Sequence, residues 1–288
     1  MPTFTTPQPI SAVIDIGFGS VRITADDRDT TVVEVRPSDA DNDEDRTAAD
    51  QTRVELEDNR LVIRTPKLRS WVSRTGGGSI AVELTMPAGS DVRGAMGSAD
   101  VHGDGRLGHC QLKTGVGHIQ LEQASTLDVR SGSGDIGVDH VTGHADVVAG
   151  SGNVRLRDLG GTAVVKNSNG DTWIGAARNE LRIRAANGDT TVDRADASVG
   201  ATSANGDITL RDVRRSSVVL ETQVGDLEVG IREGTAAYLD VSARAGRVHN
   251  TLDPAERPDP SAETVKVRAR TTMGEIVIGR APGAVDAH

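Results

Sequence analysis

The chain has 288 residues, a net charge of −10 and only 2% aromatic residues. An acidic chain lacks the basic stripe that general nucleic-acid binding requires, and it gains nothing from docking on anionic lipid. The single cysteine, Cys110, excludes an intramolecular disulfide. We therefore expect neither nucleic acid nor a membrane surface as a partner, and a core with few rings, unlike that of a compact enzyme.

Residues 1–90 predict an N-terminal β cap with irregular first coils. Alternating apolar residues at 12–16, 20–23 and 31–35 predict short strands. Residues 37–52 are acidic and nearly free of large apolar groups, so we expect a solvated loop there.

Two further segments complete the cap. Strands at 54–56 and 61–63 flank Asp58-Asn59, which is typical of a β-hairpin. A basic, glycine-rich stretch at 66–79 predicts a loop. The N-terminus shows no basic and apolar signal segment, and no run approaches the roughly 18 apolar residues of a membrane helix. We expect a cytoplasmic protein without a membrane span.

The middle of the chain repeats a block marked by Gly-Asp-Ile-Thr-Leu or a close relative. The blocks follow one another at steps of 18 residues, and the spacing loosens on either side of this run. A fixed period near 20 residues indicates a solenoid. The glycines that open the regularly spaced blocks are Gly134, Gly152, Gly170, Gly188 and Gly206.

Stacking the copies separates inward from outward positions. Apolar residues two apart, such as Val154 and Leu156, form one face of a short strand in each copy, and a second strand and an apolar corner recur in the same way. No helical rhythm is visible. The pattern predicts an all-β, single-stranded parallel β-helix over 91–280 with coils of about 18 residues. We expect a right-handed coil, because crossovers between parallel strands are usually right-handed, and a disordered tail at 281–288.

One string carries a family resemblance. The segment V-E-L-T-M-P-A-G-S at 82–90, followed by repeated S-G-S-G-D-I and A-N-G-D-I blocks, resembles the DUF4097 family of β-strand-repeat proteins, often labelled "putative adhesin". The N-terminal region is similar to actinobacterial members. The resemblance covers roughly 10–280 and implies the repeat fold. It supplies no catalytic residues, and its label implies display at the cell surface.

Polar columns within the repeat are the first candidates for chemistry. Asp171, Asp189 and Asp207 share one register, so stacked carboxylates could hold a cation such as Ca²⁺. The alternative, which we favour, is that each carboxylate accepts backbone N–H groups at a corner. A neighbouring column of Asn169, Asn187 and Asn205 predicts a hydrogen-bonded side-chain ladder. We predict no catalytic, cofactor or metal site.

The outward positions vary from coil to coil and hold the remaining candidates. Trp173, Arg155 and Arg184 form a candidate interaction face, although the explanation we favour for such residues is ordinary solvated charge and local packing. The first hypothesis is a non-catalytic structural or protein-interaction scaffold that can self-associate through open ends. A carbohydrate-active β-helix enzyme is the first alternative, but aromatic residues for a sugar groove are scarce. A cell-surface adhesin, implied by the family label, is the second.

Overall fold

The computed structural model describes residues 2–66, 77–253 and 263–282. The chain divides into two compact units, Met1–Thr142 and Gly143–His288, whereas the sequence pattern placed its boundary between 90 and 91. Most of the basic stretch predicted at 66–79, and residues 283–288 of the tail, lie outside the described residues.

Unit 1 is built from nine strands and one helix among its described residues. Their bounds are β1 Thr3–Thr5, β2 Ser11–Asp26, β3 Thr30–Pro37, α1 Asp43–Gln51, β4 Arg53–Glu57, β5 Arg60–Arg64, β6 Ser79–Pro87, β7 Asp91–Val116, β8 Ile119–Ser133 and β9 Ile136–Val141.

Long bent strands make the parallel stack of unit 1. On one side β2 pairs in parallel with β7, and on the other with β5 and then β6. Parallel pairing continues from β7 to β8 and from β8 to β9. Strands β1, β3 and β4 are antiparallel additions, β4 forming the predicted hairpin with β5 through Asp58 and Asn59, both at positive φ. Because β2 is itself a coil of the stack, the N-terminal region and the first repeats form one unit.

The acidic segment 37–52 contains helix α1, so the predicted loop is wrong for residues 43–51. Asn42 caps the helix, its side chain accepting from the backbone N–H of Glu44 at 2.8 Å. Acidic residues fill the first turn, where the positive end of the helix dipole favours them. The Asp45 carboxylate is buried and accepts the backbone N–H groups of Asp39 and Ser79. The acidic composition therefore stabilises a helix start, which low hydropathy alone did not reveal.

Unit 2 contains fourteen strands among its described residues. They are β10 Ala145–Ser151, β11 Val154–Leu159, β12 Ala163–Asn169, β13 Thr172–Ala177, β14 Leu181–Asn187, β15 Thr190–Ala195, β16 Val199–Asn205, β17 Ile208–Val213, β18 Ser216–Val224, β19 Leu227–Ile231, β20 Ala236–Ala245, β21 Val248–Asn250, β22 Thr264–Met273 and β23 Ile276–Arg280.

Each coil of unit 2 contributes one strand to each of two parallel ladders. One ladder runs β10, β12, β14, β16 and β18, and the other runs β11, β13, β15, β17 and β19. The predicted inward residues are buried, as Leu156, Ile174, Val192 and Leu210 illustrate. These ladders confirm the all-β parallel solenoid and the 18-residue coil. The right-handed sense stays a prediction.

The repeated glycine is required by the corner between the two ladders. Gly188 has a φ of +118°, and a Cβ built there would lie 2.4 Å from the carbonyl oxygen of Gly170 in the preceding coil. Its backbone N–H donates to the Asn205 carbonyl in the following coil at 3.0 Å. Only glycine combines this conformation with such close stacking of backbone on backbone.

The last coils of unit 2 do not stack in chain order. Strand β22 pairs with β18 on one side and with β20 on the other, and β23 likewise lies between β19 and β21. The coil of residues 236–250 is therefore outermost, although it precedes 264–280 in the sequence. Its inward position at Asn250 is polar where β23 has Ile278, and a polar inward residue is tolerated at a stack end that water can reach.

Candidate functional site

Trp173 and Arg155 form the centre of the predicted interaction face. Both lie at outward positions of adjacent strands, β13 and β11, where Arg155 pairs with Trp173 in register. The Arg155 guanidinium carbon lies 4.4 Å from the centroid of the Trp173 ring system, which is a cation–π contact. Arg155 is exposed, whereas Trp173 is only half-buried.

The next coils hold the other edge of the indole. Trp173 Nε1 donates to Asp193 Oδ2 at 3.1 Å, and Arg211 forms a salt bridge with the second oxygen of Asp193 at 3.1 Å. The ring leans over Gly175, whose missing side chain leaves room for it. These contacts hold the indole in one orientation on the surface of β11, β13, β15 and β17, a surface we call the Trp173 face.

Arg184 does not belong to the Trp173 face. It lies on β14, in the other ladder, with Lys166 before it and Thr202 after it in register. The structure therefore joins two of the three predicted residues and separates the third. The repeat pattern identified all three residues as outward, but it did not determine which of them lie on the same surface.

The aspartate ladder is a coil-to-coil hydrogen-bond relay. Asp171 Oδ1 accepts the backbone N–H of Asp189 at 2.9 Å, and Asp189 Oδ1 accepts that of Asp207 at 2.9 Å. The relay continues from Asp207 to the N–H of Asp226 and from Asp226 to that of Glu275, both at 2.7 Å. Each carboxylate thus satisfies a corner N–H of the next coil, the alternative favoured from the sequence.

The asparagine column forms the predicted side-chain ladder. Asn187 Nδ2 donates to Asn169 Oδ1 at 2.9 Å, and Asn205 Nδ2 donates to Asn187 Oδ1 at 3.0 Å. These bonds run along the stacking direction beside the aspartate relay. Among the described residues, no group of three or more His, Cys, Asp and Glu side chains could hold a metal ion.

A third feature, absent from the sequence analysis, is a column of ion pairs near the apolar corner of unit 2. Arg178 donates to both oxygens of Asp158 at 3.0 and 2.8 Å, and Arg232 Nε donates to Asp212 Oδ1 at 3.0 Å. These hydrogen bonds raise the pKa of both guanidinium groups above their usual range. Each arginine lies 20 residues after its aspartate, and this offset was a signal present in the sequence.

Unit 1 contains a groove of about 690 Å³ between helix α1 and strands β2 and β7. Its apolar wall includes Ile16, Phe18 and Met96, and its rim carries acidic residues of α1 together with Lys113. The groove depends on how the helix packs against the coils. Sequence periodicity could not indicate it, because the acidic segment was interpreted as a loop.

Cys110 lies in β7 and is fully buried. Burial, with a smaller effect of the Asp91 charge, raises the pKa of its thiol from 9.0 to about 12. A thiol that remains protonated at neutral pH is a poor nucleophile. This environment agrees with the packing role expected for a free cysteine.

The chain matches one known protein family along the two ladders and their glycine corners. A profile of the Toastrack DUF4097 family matches residues 12–278. The chain belongs to this family. The match confirms the resemblance seen in the sequence and covers both units of this Toastrack DUF4097 protein. None of the curated proteins matches the chain.

Several solved structures from bacteria match the chain over nearly its whole length. A "putative adhesin" from Bacteroides fragilis is 17% identical, with 96% of this chain and 95% of that chain covered and a TM-score of 0.39. A "putative adhesin" from Parabacteroides merdae is 12% identical, covering 95% and 94%, with a TM-score of 0.36. A "putative lipid binding protein" from Parabacteroides distasonis is 12% identical, covering 97% and 96%, with a TM-score of 0.34. Similarity at this level carries no information on function.

Within the described part of the chain, no helix has the length and apolarity needed to span a membrane.

Proposed function

We propose that this Toastrack DUF4097 protein is a non-catalytic protein-interaction scaffold of the cytoplasm, and that the Trp173 face binds its partner. The observation that carries the proposal is the fixed Arg155–Trp173 pair, held from the other side by Asp193. Tryptophan and arginine are the residue types that most often dominate binding energy at protein interfaces. A ring already held in place loses little conformational entropy on binding.

The repeated polar residues support a non-catalytic role. The side chains of the aspartate and asparagine columns are occupied by coil-to-coil hydrogen bonds. A glycosidase needs two carboxyl groups at a defined separation, with one of them raised in pKa. Carboxylates engaged with backbone N–H groups are acceptors that keep the coil in register.

A charge-reversal pair tests the location of the face. Arg155→Glu removes the cation from Trp173, whereas Arg184→Glu makes the same change at an exposed position of the other ladder. Each variant and the wild type are immobilised, and proteins captured from the source cells are quantified by mass spectrometry. We expect a partner that is captured by the wild type and by Arg184→Glu and is lost with Arg155→Glu.

Two results would contradict the proposal. Equal capture by all three proteins would mean that the Trp173 face does not bind the partner. Turnover of a polysaccharide by the purified protein, across a panel that includes polyuronates, would make it an enzyme. Cell fractionation tests the cytoplasmic location, and recovery of the protein only from the cell surface would overturn that part.

A further inference from the structure

The outermost coil of unit 2 leaves its inward residues uncovered. Leu239 and Val241 continue the buried columns that pass through Val267 and Ala269 of β22, yet both are partly exposed. Val248, in line with the buried Ile276, is 42% exposed. Every earlier coil of unit 2 has a further coil over these positions, and the coil of β20 and β21 has none among the described residues.

The backbone of the same coil is also open on one side. Strand β20 pairs with β22 only, and β21 pairs with β23 only, within the residues that the structure describes. A bare parallel-sheet edge ten residues long, next to an apolar surface, is a template for another strand. Repeat proteins usually cover this position with a capping element that has a polar outer face.

The outward side chains of β20 indicate which strand fits the edge. Asp240 and Arg244 lie four residues apart on one face, and both are exposed. The Asp240 carboxylate also accepts a hydrogen bond from Arg268 Nε of β22 at 3.0 Å, so a second copy would share it with that arginine. If two copies of β20 pair antiparallel about Ser242, each Asp240 lies opposite the Arg244 of the other copy. The same register places Val241 opposite Ala243 on the inward side, so charge and apolar surface are both self-complementary.

We propose that the chain forms a two-fold dimer in which β20 pairs antiparallel with β20 of a second copy. This inference rests on the proposed scaffold function and names one of its partners. A two-fold contact uses the same surface on both copies and closes after two. In this register residues 239–245 of the two copies oppose each other, which supplies roughly six to eight backbone hydrogen bonds and covers the exposed columns on both sides.

A head-to-tail filament fits the structure less well. Filament growth by parallel pairing would require a bare parallel edge elsewhere on the chain to receive β20. In unit 1, the described edges beyond β5 and β6 belong to antiparallel strands, β4 on one and β3 with β1 on the other. A dimer has twice the mass of one chain, whereas a filament would have no fixed mass, so the two can be distinguished by mass.

Light scattering coupled to size exclusion tests the dimer. The wild-type chain is expected at twice its mass of 30.1 kDa. Val241→Lys places an inward-pointing charge on the edge and is expected to give the monomer mass with an unchanged circular dichroism spectrum. The matched control, Val219→Lys, makes the same change at an exposed outward position of β18 and should remain a dimer.

Charge exchange tests the register independently. Arg244→Glu sets two carboxylates opposite each other and is expected to increase the dimer dissociation constant at least tenfold. Adding Asp240→Lys restores opposite charges across the contact and should recover part of the affinity, because the new lysine also faces Arg268 and Arg270 of β22. Loss of the dimer in Arg244→Glu without any recovery in the double variant would overturn this register.

Hydrogen exchange separates the dimer from other occupants of the edge. Amide groups of β20 should be protected in the wild type and should exchange faster in Val241→Lys. A monomer with protected β20 amides would mean that the chain's own residues cover the edge, and a monomer with unprotected amides would leave it uncovered. Growth beyond the dimer would mean a filament. Each of these three results would overturn the inference, while loss of partner capture in Arg155→Glu with an intact dimer would still support the scaffold.

Discussion

Replacing Gly188 by alanine should unfold the repeat more than any comparable change at an outward glycine. At a φ of +118° an L-residue is strained, and the new Cβ would lie 2.4 Å from the Gly170 carbonyl oxygen. We assign about 1–3 kcal/mol to the backbone strain. Displacement of the corner would also weaken the 3.0 Å hydrogen bond from Gly188 to Asn205, which contributes about 1 kcal/mol. The sum predicts a loss of about 2–4 kcal/mol in the free energy of unfolding.

Gly200 provides the matched control. It lies in β16 of the same unit, a Cβ there meets nothing within 4 Å, and its φ is outside the left-handed region. Gly200→Ala should be neutral or stabilising by up to about 1 kcal/mol, because alanine restricts the unfolded chain. Urea titrations of both variants followed by far-ultraviolet circular dichroism give the comparison. Equal midpoints for the two variants would refute the argument that the corner glycine is required by conformation and stacking.

Three further predictions concern side chains. Asp189→Ala should lower the free energy of unfolding by about 1 kcal/mol, because the Asp207 N–H loses its acceptor. Neither Ca²⁺ nor EDTA should shift the melting temperature of the wild type. A shift with Ca²⁺ would instead support a cation site at the aspartate ladder. Asn187→Ala removes two side-chain hydrogen bonds of the ladder and should lower the free energy of unfolding by about 1–2 kcal/mol. Asn250→Ala, at the open end, should lower it by less than half of that in the same urea titration. Cys110 should resist alkylation in the native state at pH 8 and react on unfolding. Its pKa is higher in the folded protein, about 12 against an ordinary 9.0, so its contribution to stability is complete below pH 9 and is lost as the pH rises towards 12. Cys110→Ala should remove this contribution, so that the free energy of unfolding falls less steeply between pH 9 and pH 12. An unchanged pH profile would contradict the burial argument.

Much of the site could be predicted because the repeat converts sequence offset into spatial contact. Residues 18 apart in the regular run stack on one another, so the aspartate and asparagine columns were visible as ladders before any coordinates. The Arg155–Trp173 contact obeys the same rule, being 18 residues apart in register. The ion pairs of Arg178 and Arg232 follow an offset of 20 and were missed, because side chains there reach diagonally past the stacking register.

Where the repeat ends, offset no longer predicts contact. Helix α1 was missed because its stability depends on the Asn42 cap and on the burial of Asp45 against the cap strands, neither of which follows from periodicity. The exchange of order between 236–250 and 264–280 was missed for a related reason. Both segments carry a similar inward pattern, apart from Asn250 in place of Ile278, and packing selects which of them receives a neighbour on both sides.

The sequence by itself determined the coil: its length, its inward columns, its glycine corners and the polar ladders that connect one coil to the next. These follow from local chemistry repeated at a constant interval, and each copy reinforces the same interpretation. The tertiary structure alone decided which outward residues meet, where the coils pair out of chain order, and that β20 is the open edge among the described strands of unit 2. Those outcomes depend on competition between alternative neighbours for the same surface, and a sequence pattern shared by all the competitors cannot rank them.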